Sequence, residues 1–87
     1  MKRFEDLFQE LKDKIDRQDT ESGTVQAVHA GSHEIGKKIL EEAGEVWMAA
    51  NYETRERTAE EISQLIYHIQ VMMLACDLSL EDIYRHL

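Results

Sequence analysis

An all-α fold, an antiparallel helical hairpin flanked by shorter helices, is what this sequence predicts. Three observations carry that reading. There is no proline and there are only four glycines, so helices can run uninterrupted. Apolar residues recur at spacings of three and four along most of the chain. No stretch carries the two-residue alternation of a half-buried strand. At 87 residues the chain allows one domain, 1–87, with a core small enough that such a protein often completes it by pairing.

The first helix is expected over 3–17, where Phe4, Leu7, Phe8, Leu11 and Ile15 share one face. Residues 18–23 are polar and aperiodic and form the clear loop. Ser22 or Gly23 can cap a short helix from Thr24 to Ala30. Gly31-Ser32 then breaks or bends the chain, so this helix and the next are either separate or one kinked rod. Ser32 is a plausible cap for a main helix burying Ile35, Ile39, Ala43, Val46 and Ala50, with Trp47 also in the core. Asn51 to Thr54 reads as a turn, with Thr54 as the next cap. A second long helix over 55–76 carries Ile62, Leu65, Ile66, Ile69, Met72, Met73 and Cys76 close to a coiled-coil seam. Ser79, with Asp82 three residues later, opens a short final helix bearing Leu80, Ile83, Tyr84 and Leu87. Two long helices joined by a short turn make a hairpin, and two hairpins from two chains make a four-helix bundle.

Formal net charge is −8, which argues against nucleic acid as the main partner and equally against anionic membranes. No run reaches the roughly 20 apolar residues of a membrane span, and the first residues lack a signal-peptide core, so the cytoplasm is the expected compartment. The single cysteine, Cys76, sits among Met72, Met73 and Ala75 and reads as a buried small hydrophobe. The four histidines form no zinc pattern, and His68 reads as a partly buried packing residue.

The chemistry concentrates in Lys37 to Ala50. Glu41 and Glu45 stack one turn apart and Glu42 lies three residues before Glu45, an arrangement that costs a few tenths of a kcal/mol per like-charged pair. An antiparallel second helix brings Glu61, with Gln64 three residues on, towards that cluster. Converging carboxylates suit a hard divalent cation; a solvated acidic face is the plainer reading of the same spacing. Lys37 and Lys38 pair naturally with Glu41 and Glu42 at i, i+4, or they contact substrate phosphates.

Glu41-Glu42-x-x-Glu45 followed by Glu61-x-x-Gln64 resembles the EExxE…ExxD signature of the all-α, MazG-like nucleotide pyrophosphohydrolases. Within them the similarity is greatest to the phosphoribosyl-ATP pyrophosphatase family. Ser22-Gly23-Thr24, Lys37-Lys38, Leu65-Ile66-Tyr67-His68 and Leu78-Ser79-Leu80-Glu81-Asp82 support it, and the likeness runs from about Phe4 to Leu87. Gln64 departs from the family's aspartate, and Leu40 stands where many relatives have glycine.

The resemblance implies a magnesium-dependent homodimer that hydrolyses phosphoribosyl-ATP to phosphoribosyl-AMP and pyrophosphate, the second step of histidine biosynthesis. A phosphoribosyl-AMP cyclohydrolase would take the product. By the same resemblance Glu41, Glu42, Glu45 and Glu61 hold the metal with Gln64 beside them. The resemblance also implies that Lys37 and Lys38 lie near the phosphates and that Ser22 and Thr24 belong to the substrate loop, while the chemistry asks a glutamate not fully engaged with metal, Glu42 or Glu45, to act as general base. Two other readings remain: a house-cleaning nucleoside triphosphate pyrophosphohydrolase of the same fold, and a non-catalytic acidic dimerisation module.

Overall fold

The computed structural model describes residues 1–87 as five helices and no strand. They are α1 (Phe4–Asp16), α2 (Gly23–Ala30), α3 (Ser32–Tyr52), α4 (Arg55–Ala75) and α5 (Leu80–Tyr84). α3 and α4, of 21 residues each, form the hairpin that carries everything else. The turn between them is only Glu53 and Thr54, because α3 runs on through Asn51 and Tyr52. The Thr54 side chain accepts from the Arg57 amide at 3.1 Å and starts α4 as expected.

α2 and α3 are separate helices. Gly31 lies between them with φ of 102°, a backbone region that side-chain-bearing residues rarely adopt. It closes α2 and opens α3, so Ser32 is the first residue of α3 rather than its cap. Ser22 caps α2 by accepting from the Thr24 and Val25 amides at 3.2 and 3.4 Å. At the other end of the chain, Ser79 and Asp82 form the reciprocal pair expected for α5, at 2.8 and 3.1 Å.

Leu11 of α1, Ile35 of α3 and Val71 of α4 make the central apolar contact, with Leu7, Ala27, Ile39 and Tyr67 packed around it. Gln70 is completely buried, and its side-chain amide donates to the Phe4 carbonyl at 2.9 Å, tying α1 to α4.

Several expected core positions lie elsewhere. The inward stripe of α3 is Ile35, Ile39, Glu42, Val46 and Ala49, so Ala43 and Ala50, one residue on and about 100° around the helix, are exposed. Trp47 is 59% exposed, and Ile62 and Ile69 face outwards from α4. Cys76 is exposed because it follows the last residue of α4 as its cap, past the packed turns. His68 is half-buried, as expected. No helix is long and apolar enough to cross a membrane.

Candidate active site

The two inward stripes of the hairpin each carry a carboxylate. Glu42 sits between Ile39 and Val46 on α3, and Glu61 one turn before Leu65 on α4. Glu61 is 9% exposed and Glu42 half-buried, and the antiparallel packing sets them against each other. Glu61 has a counter-charge. The Arg57 guanidinium donates to its Oε1 at 2.9 Å and also to Glu60 at 2.9 Å and Glu53 at 3.4 Å. Glu42 has none, and its Oε2 is buried without a hydrogen-bond partner. Burial is the chief reason its carboxyl titrates above the usual glutamate range; Glu61, then Glu45 and Glu41, push the same way.

Glu41 and Glu45 lie on the exposed side of α3 within electrostatic reach of Glu42. No three acidic, histidine or cysteine side chains converge closely enough to enclose a metal ion, so the inner site is a pair of carboxylates with two more at its rim. Gln64, one turn after Glu60, is exposed.

The lysine pairings differ from the expected i, i+4 pattern. Lys37 reaches back to Glu34 at 3.3 Å and Lys38 forward to Glu41 at 3.4 Å, both at i, i±3. Both lysines are more than half exposed, and such pairs contribute at most a few tenths of a kcal/mol, leaving either free to turn towards a ligand.

Ser22 is occupied as the α2 cap. Thr24 is buried, and its hydroxyl shares a 2.7 Å hydrogen bond with the Tyr67 hydroxyl of α4. That bond pins α2 across the hairpin. Beside it, between α2 and the hairpin, lies a cavity of about 330 Å³. Ile35, Val71 and Ala27 supply apolar walls, Tyr67 and His68 two rings, and Lys38 a charge. The Tyr67 and His68 rings meet edge to face with centroids 5.0 Å apart. Burial lowers the His68 pKa from its ordinary value, with the Lys38 charge adding to the effect and Glu41 opposing it.

Arg57 escaped the sequence reading, and Tyr67 entered it only within the Leu65–His68 segment of the family likeness, with no role at the site. The signal for Arg57 was present, since it precedes Glu60 and Glu61 by three and four residues. That for Tyr67 was not, because its partner is 43 residues away.

The whole chain, residues 1–87, matches the family model described as phosphoribosyl-ATP pyrophosphohydrolase. It is 72% identical to the phosphoribosyl-ATP pyrophosphatase of Salinibacter ruber over 87 residues, covering all of both chains. It is 59% identical to the phosphoribosyl-ATP pyrophosphatase of Bifidobacterium animalis subsp. lactis, again over the full length of both.

Proposed function

The chain belongs to the phosphoribosyl-ATP pyrophosphohydrolase family and is a hydrolase, and we propose that its paired carboxylates act with magnesium to release pyrophosphate from phosphoribosyl-ATP. The products would be phosphoribosyl-AMP and pyrophosphate, in the second step of histidine biosynthesis, with a cyclohydrolase taking the phosphoribosyl-AMP onward.

The observation that carries this reading is the Glu42–Glu61 pair, one of whose carboxylate oxygens is buried without a partner. A helix hairpin optimised for stability would fill both positions with aliphatic side chains. An all-oxygen donor set suits a hard cation, and magnesium is commonly held by one or two carboxylates, several waters and substrate phosphates. A pair of inner carboxylates fits that habit better than a closed cage. Glu42 and Glu61 would hold the ion, with Glu41, Glu45 and the Gln64 amide oxygen at its edge. When bound, magnesium would neutralise charge on the phosphates and lower the pKa of attacking water.

The remaining work falls to the chain itself. Glu45, or Glu42 where it is not fully engaged, would accept the proton of the attacking water. Lys37 and Lys38 would turn from their weak surface pairings to the phosphate oxygens. The Ser22–Thr24 segment, tied to Tyr67, would border the substrate. Arg57 balances Glu61 and fixes its rotamer. A second copy of the chain would cover the exposed outer face of the hairpin.

The test is pyrophosphate release from phosphoribosyl-ATP, with and without magnesium, beside a panel of nucleoside triphosphates. Magnesium-dependent release confined to phosphoribosyl-ATP is expected. Release only from ordinary triphosphates would assign the chain to house-cleaning chemistry, and release from none would make it a helical module.

A further inference from the structure

From the cavity between α2 and the hairpin, we infer that Tyr67 and His68, with the apolar walls of Ala27, Ile35 and Val71, form the pocket for the heteroaromatic base of the nucleotide. The assignment rests on the nucleotide substrate proposed above.

Three features point to a base rather than a phosphate. The first is position. Lys38, on the cavity wall, lies one helical turn before Glu42 and also pairs with Glu41 at 3.4 Å. His68 lies one turn after Gln64. The cavity therefore lies one turn from Glu42 along α3 and about two turns from Glu61 along α4, where the far end of a nucleotide bound by its phosphates would come to rest.

The second is lining. At about 330 Å³ the cavity is at the small end of ligand pockets, which commonly span ~300–1,000 Å³. For a phosphate its walls offer the Lys38 ammonium alone, offset by the Glu34 carboxylate, and the apolar remainder gives no compensation for lost hydration. A base instead presents flat apolar faces to such walls and polar edges to the charged groups beside them.

The third is rigidity. The Tyr67 hydroxyl is held by buried Thr24 at 2.7 Å, and the Tyr67 ring meets the His68 ring edge to face. The aromatic side of the pocket is thus set before a ligand arrives, which limits the ordering cost of binding.

Gly23 provides a variant that blocks the cavity without disturbing the fold. It lines the pocket at the first position of α2, and a Cβ built there meets no atom within 4 Å. Gly23→Leu should melt at or above the temperature of the parent, because leucine favours the helix more than glycine does. His68→Ala is the second variant and removes the ring instead.

The full chain is titrated calorimetrically, in magnesium, with AMP and with ribose 5-phosphate, which lacks the base. The parent should bind AMP at least ~10-fold more tightly, the size of one stacked base. Gly23→Leu and His68→Ala should each lower AMP affinity by about 10-fold and leave ribose 5-phosphate within about two-fold. Equal affinity of the parent for both ligands would overturn the assignment. So would equal weakening of both ligands in the variants, or unchanged AMP binding. Turnover separates this from the reaction. No pyrophosphate release beside an intact, Gly23-sensitive AMP preference overturns the reaction and keeps the pocket; normal release with no AMP preference overturns the pocket alone.

Discussion

Glu42 occupies a position where the packing of α3 calls for an aliphatic side chain, between Ile39 and Val46 and against α4. Its carboxylate is crowded by Glu61, Glu45 and Glu41, and the Arg57 charge is spent on Glu53, Glu60 and Glu61. The fold therefore favours the protonated form of Glu42. A raised carboxyl pKa gives stability that is fully present below the ordinary glutamate range and lost as pH rises through the raised value. Glu42→Gln keeps the shape and removes the charge. Without magnesium at pH 7.5 we expect stabilisation on the order of 1 kcal/mol, or roughly 4–8 °C in Tm for a chain of this size. At pH 4 the difference should nearly vanish, and thermal melts at the two pH values check the sign. In magnesium the same variant should lose about 10²-fold or more in pyrophosphate release. A variant that gains stability while losing turnover marks a side chain retained for chemistry.

At the scale of elements, α1 and α4 end alike. Gln18 and Asp77 take positive φ, 55° and 56°, just after the two helices. The Asp19 amide then reaches the Lys14 carbonyl at 3.2 Å and the Leu78 amide the Met73 carbonyl at 2.8 Å, the bonds of a Schellman end. A left-handed residue with a Cβ costs roughly 1–2 kcal/mol relative to glycine, partly offset by the extra freedom glycine gives the unfolded chain. Gln18→Gly should therefore stabilise by about 0.5 kcal/mol, read as a small upward shift of the urea midpoint at unchanged slope. Where these helices end was legible, at 17 and 76, but their left-handed caps were not, because neither Gln18 nor Asp77 is the glycine that usually announces one. What was legible followed from spacing and caps: the α1 stripe through Phe8 and Leu11, Thr54 before α4, the Ser79–Asp82 pair before α5, and the antiparallel course that sets Glu42 against Glu61. What spacing could not decide was which of two apolar faces turns inwards. α3 and α4 carry apolar residues on both sides, so Trp47, Ile62 and Ile69 fitted a core face as well as the surface they occupy. The aromatic pocket was hidden for another reason, since Thr24 and Tyr67 meet only through tertiary packing.

The whole molecule exposes more surface than its mass warrants. Its accessible area is 6315 Å², against roughly 5,300 Å² for a compact monomer of this mass. Only 10 of 87 residues are buried, and the exposed large apolar side chains include Leu40, Trp47 and Met48 on α3 and Ile62 and Ile69 on α4. The excess of about 1,000 Å² is close to the ~800 Å² that each partner contributes to a stable interface. A second copy is the occupant proposed for that face. Trp47→Glu should convert a dimer into a monomer in sedimentation velocity and lower Tm by at least ~5 °C, because the hairpin then loses its outer cover.

The Gln70 amide that grips the Phe4 carbonyl spans nearly the whole chain. On a ribosome α1 is made first, yet the residue that clasps its opening turn comes 66 positions later. Phe8 and Leu11 must meanwhile wait without the α4 side chains that will cover them. The first helix to be synthesised is thus fully seated only when four fifths of the chain has been made, and until then its apolar face has only the part of its cover that α2 and Ile35 supply.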